Sequence, residues 1–198
     1  MTMTVSPERV ILRVLQEAGQ SLNRPITRTE LVKLVYLVDY FYAQHTEGQT
    51  LSGLRYFWDN HGPNAIGNEI VKRADVMELM EGTIQSYEAV TSMGNSKFLY
   101  QAKDDSAVQP IDAGLAESVI SEVVRSCGPL GWKGLTALSK RTRPMRGISQ
   151  GDWLDLTPDP RNRQVFEIIR ARIEQGAYDN LSSGMTLAEL EGDHASAG

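Results

Sequence analysis

Between residues 28 and 44 apolar side chains recur at helical spacing, and the run LVKLVYLVDY at the centre is interrupted only by Lys33 and Asp39. Thr27 and Glu30 have the spacing of a capping box, with Ile26 and Leu31 placed to close over it as a hydrophobic staple. The helix is therefore expected to start near Arg28 and to run to about Gln44, before the turn-forming HTEGQ. At about 100° per residue, Leu31, Leu34, Val35, Val38, Phe41 and Tyr42 fall on one side, while Thr29, Lys33, Tyr40 and Gln44 gather on the other. Lys33 and Tyr40 thus read as solvent-facing. Asp39 falls between Val32 and Val35, where a carboxylate needs a hydrogen-bonding partner. We expect it to hold the HGP turn of residues 61–63 or a nearby backbone amide.

Other segments are less uniform. Ser6 and Pro7 read as an N-cap and first helical position, followed by apolar positions at helical spacing up to Gly19. The pattern of LRYFW, residues 54–58, decides neither strand nor helix. Pro63 suits the first turn of a helix from about Asn64 to Arg73, and TIQSYEAV and KFLYQA flank turn formers as a β-hairpin. Further helices are expected from Asp112 to Cys127, around Trp132, Leu135 and Leu138, and from Arg161 to Gln175. These elements predict a mainly α fold: a compact helical bundle with a small β-hairpin, one domain over residues 1–180, and a C-terminal tail, 181–198, expected to be disordered.

Composition narrows the function. The 198 residues are 41% hydrophobic and 23% charged, with a net charge of −5, which argues against general affinity for nucleic acid or anionic membrane. No apolar run approaches the roughly 20 residues needed to cross a bilayer, and the N-terminus lacks a signal peptide's apolar core. The single cysteine, Cys127, permits no internal disulfide, so a cytoplasmic setting is expected. His45, His61 and His194 have no ligand spacing around them, so no metal is expected. Phosphate- and dinucleotide-binding glycine motifs are absent and no cofactor is expected. Cys127 lies on the apolar side of its helix, which favours packing over nucleophilic chemistry. The first two helices resemble a helix-turn-helix only superficially, because the second is too apolar and too long to read DNA. A basic stretch, KRTRPMR, holds Lys140, Arg141, Arg143 and Arg146; it is either a solvated helix end or a surface for an acidic partner or nucleic acid.

The order capped helix, K-L-x-Y-x-x-D, glycine-containing turn, aromatic segment and HGP resembles the Panacea domain, the SocA-like antitoxin family that includes phage-associated proteins. It is carried by Leu31, Lys33, Leu34, Tyr36 and Asp39, by Gly48, and by His61, Gly62 and Pro63. The similarity covers residues 8–80 and extends weakly through VISEVVRSCGPLGWKGLTALSKRTRPM, where Lys140 to Met145 replace the histidine and tryptophan of many members. The resemblance implies a helical protein-binding module rather than an enzyme. It would neutralise a cognate protein toxin encoded next door by direct contact, or act as an adaptor presenting that toxin to an ATP-dependent protease. Three surfaces are candidates for the contact: the polar side of the second helix with Lys33, Tyr36 and Tyr40, the HGP turn with Trp58, and the segment Lys140, Arg141, Arg143 and Arg146. A DNA-binding regulator of its own operon, or an unrecognised hydrolase, are the alternatives.

Overall fold

The computed structural model describes residues 5–65, 68–91, 94–103, 110–111 and 114–158. The helix expected over 161–175 and the tail from 181 lie outside these residues. Among the described residues five helices and five strands follow one another as α1 (Pro7–Leu22), β1 (Ile26–Thr27), α2 (Arg28–His45), β2 (Tyr56–Asp59), β3 (Gly62–Ala65), α3 (Glu69–Val76), β4 (Ile84–Val90), β5 (Ser96–Ala102), α4 (Leu115–Cys127) and α5 (Gly131–Arg141). A π-helical turn, Met77–Glu81, extends α3, and short 3₁₀ turns at Gly128–Leu130 and Arg143–Met145 bracket α5.

The expectation of a helical bundle with one hairpin is overturned. The fold is mixed α and β, with two antiparallel sheets: one of three strands in the order β1-β5-β4, the other the β2–β3 pair. Periodicity failed where strands are short. β1 has two residues and is defined only by its register on β5, Ile26 opposite Tyr100 and Thr27 opposite Leu99, a non-local pairing with no local pattern. The β4–β5 hairpin lies where the sequence placed it.

The HGP segment is also corrected. It does not open a helix at Asn64: Asn60 and His61 form the two-residue turn of a hairpin whose strands pair Asp59 with Gly62 and Trp58 with Pro63. Proline is accommodated because Trp58 points its own N–H and C=O away from β3. They meet the Asp152 carbonyl at 2.9 Å and the Gly151 N–H at 2.8 Å, so the missing proline donor leaves no gap in the ladder. With Leu154 N–H donating to the Tyr56 carbonyl at 2.9 Å, residues 151–154 cover the outer edge of β2.

Caps at the first two helices are as read: Ser6 accepts from the Arg9 amide, and Thr27 and Glu30 form the reciprocal capping box. The environment of α2 is not as read. Every residue from Glu30 to Gln44 is buried. α1 and α4 pack on its apolar side, while α5, β3 and the segment up to Leu156 cover the side bearing Lys33, Tyr36, Tyr40 and Gln44. α1 and α4 are further joined by a two-point ion pair of Arg13 with Glu117, at 3.0 and 2.7 Å, and by Arg125 with Glu17 at 2.9 Å. Among the described residues no helix is long and apolar enough to cross a membrane.

α5 is held closely to the turn before it. A Cβ added at Gly134 would lie 2.7 Å from Leu130 Cβ. Gly134→Ala should therefore destabilise the protein by about 1–3 kcal/mol in thermal or urea unfolding, against the gain expected of alanine inside a helix; a stabilised variant would show that α5 is not seated this way.

Candidate partner-binding site

The residues of the family-like signature converge on one unit, with α2 inside and two loops outside. Leu31 and Leu34 are fully buried core. Lys33 is 3% exposed, and its Nζ donates to the Pro63 carbonyl at 2.7 Å. Burial lowers its pKa to about 8; Asp59 acts to raise it, and the neighbouring Lys140 ammonium lowers it further. Asp39 is wholly buried. Its Oδ1 accepts the Ser52 amide at 2.8 Å, and its Oδ2 accepts the Ser52 hydroxyl and, at 2.6 Å, the Tyr56 hydroxyl. Desolvation raises its pKa to about 6, and these hydrogen bonds oppose the rise.

The division of labour differs from the one expected. A backbone amide is indeed held by Asp39, but in the loop before β2; the HGP turn is held by Lys33. Tyr36 is tied to α5's end, its hydroxyl 2.6 Å from Thr142 Oγ1, and Thr142 donates in turn to the Ser139 carbonyl at 2.7 Å. Tyr36 stacks on Tyr40 and meets Tyr56 edge-on, with centroids 6.1 and 5.1 Å apart. Ser52, Tyr56, Ser139 and Thr142 were missed by sequence reasoning, since a serine or tyrosine in a loop carries no sign that a helix 13 or 17 positions away needs its donor.

The polar side of α2 is therefore not a contact surface. Lys33, Tyr36 and Tyr40 are at most 3% exposed, because the second layer of the fold uses them as its seam. Gln44 donates to the Leu156 carbonyl along the same line. What remains at the surface is the hairpin tip and the outer side of α5. His61 is exposed and Trp58 half-buried in β2. Gly62 has φ +90°, and a Cβ there would meet Lys140 Cγ at 3.2 Å and Lys33 Nζ at 3.6 Å. The Lys140 and Lys33 side chains thus converge at Gly62. Lys140 and Arg141 are half-buried, and Arg143 and Arg146 exposed. The helix expected around Trp132, Leu135 and Leu138 is α5; Leu135 and Leu138 are buried and Trp132 is 53% exposed, with Lys133 Nζ 5.6 Å from its ring centroid. It stands in the first turn of α5, on the helix's outward side.

Cys127 is buried in the core, which pushes its thiol up to about 12. Among the described residues no group of acidic, histidine or cysteine side chains could hold a metal ion. Comparison with known proteins found no match: no family model, no curated protein and no solved structure matches the chain.

The Asp39 cluster has a measurable consequence. In the fold the carboxyl keeps its proton up to about pH 6, whereas in the unfolded chain it releases it near 3.8. The folded state binds the extra proton between these values, so the Asp39 contribution to stability falls as pH rises from about 4 to about 6 and is level above. Its size is on the order of 3 kcal/mol. Wild-type minus Asp39→Asn stability, in which the other carboxylates cancel, should show that slope; a difference independent of pH would contradict it. Asp39→Ala strands the Ser52 and Tyr56 donors and should be less stable than Asp39→Asn by about 1–3 kcal/mol.

Proposed function

We propose that the chain is a protein-binding module of the antitoxin type, which neutralises a cognate protein toxin by direct contact. The observation that carries this reading is the use made of the signature residues. Lys33, Asp39, Tyr36, Gly62 and Pro63 bind one another's loops into a single rigid support and leave the hairpin tip and α5 exposed above it. A resemblance that is strong over residues 8–80 and weak across α5 then reads as a resemblance of scaffold, with the contact surface left to vary.

Binding is favoured over catalysis because the groups with strongly displaced pKa values are in the interior. Lys33, Asp39, Tyr36, Tyr56 and Cys127 are each at most 3% exposed, and the first four are committed to hydrogen bonds within the fold. A general acid, base or nucleophile must reach a substrate.

The test is growth of cells expressing the neighbouring reading frame, alone and with this protein. Relief of toxicity with both proteins recovered as one complex is the expected result. Relief with loss of the neighbour's protein would mean that the module works as an adaptor to an ATP-dependent protease. A harmless neighbour and no complex would refute the antitoxin reading.

A further inference from the structure

Charge is sharply segregated along this chain. Residues 123–151 contain six of the 20 lysines and arginines and none of the 25 aspartates and glutamates. The other 14 cations therefore share the rest of the sequence with every carboxylate, a net of −11 against +6. Of the six, Arg125 is paired with Glu17 on α1, and Arg143 interacts electrostatically with Asp155. All but Arg125 lie on or just beyond α5. Its inward side is Gly134, Leu135, Leu138 and Ser139; its outward side carries Trp132 and Lys133, then Lys140 and Arg141 two turns later, and the chain continues into Arg143 and Arg146.

Two further observations make this more than a solvated helix end. First, the cationic face begins with an exposed tryptophan, a residue type that supplies a disproportionate share of binding energy in protein contacts. Second, the cations continue inward. Lys140 crosses Gly62 and comes close to buried Lys33, whose Nζ donates to the Pro63 carbonyl, is attracted by Asp59 and is repelled by the Lys140 ammonium. A carboxylate arriving beside Lys140 would offset that repulsion.

We infer that the outward side of α5, from Trp132 to Arg146 and continuous with the His61–Gly62 hairpin tip, docks a short acidic segment of a protein partner, with Trp132 as its apolar anchor. This rests on the protein-binding reading above and names the partner chemistry of that site. A peptide segment fits better than a nucleic acid because of the range of the two fields. Within about 8 Å, the screening length at physiological salt, a short segment sees the local cations; an extended polyanion also meets the carboxylate-rich remainder of the molecule.

The test uses the full chain and a fluorescein-labelled peptide of alternating glutamate and leucine, beside a single-stranded oligonucleotide of equal charge. The peptide should bind the wild type with salt-dependent affinity, and Lys133→Glu/Arg146→Glu should weaken it about tenfold or more at an unchanged melting temperature. Trp132→Ala should weaken binding while leaving the salt dependence as it is, because it removes the anchor and no charge. Equal affinity for the charge-reversed variant, or tighter binding of the oligonucleotide than of the peptide, overturns the inference. The same variant in the co-expression assay separates the two claims. If it still relieves toxicity, the module stands and this surface falls; if the peptide binds as stated but the wild type relieves nothing, the surface stands and the toxin reading falls.

Discussion

The fold depends on the burial of α2 on all sides. A helix in a two-layer domain ordinarily keeps one side in water, and the polar groups of α2 would be costly inside without partners. Each group is met by a loop. Asp39 gathers the Ser52 amide and two hydroxyls, Lys33 the Pro63 carbonyl, Tyr36 the Thr142 hydroxyl and Gln44 the Leu156 carbonyl. These pairs join segments 13 to 112 residues apart, so α2 is the axis to which otherwise weakly structured stretches are fastened.

That arrangement explains why short, irregular elements are stable here. Two four-residue strands make a marginal hairpin in isolation. This one gains a second line of backbone bonds from residues 151–154, an internal donor from Lys33 and the packing of Tyr56 on Tyr36. The hairpin tip is consequently a rigid feature beside α5, and Gly62, at φ +90° beneath the Lys140 stem, allows the two to approach.

The buried charges also show why a family-like signature need not mark a contact. Lys33 and Asp39 attract attention in the sequence because a core should reject them, and both turn out to be ties within the scaffold. The exposed cations sit elsewhere, on and beyond α5, in residues whose individual types are unremarkable and whose acid-free stretch of sequence is visible only over some thirty positions.

Local information determined the parts of this protein that local physics controls. The caps at Ser6 and Thr27, the bounds of α1 and α2 to within a few residues, the β4–β5 hairpin, the buried side of α4 and the need of Asp39 for a partner are legible because each depends on neighbours within a few positions. Tertiary structure decided the rest. Whether Lys33 and Tyr40 face water or a second layer depends on what lies over α2, and that layer comes from residues 62–65 and 131–156, which carry no mark of their destination. β1 exists only because β5 passes beside it, and Gly-Pro at 62–63 becomes a strand rather than a helix start because residues 151–154 supply the other edge of β2. A helical wheel shows which residues share a side; only packing decides what that side meets.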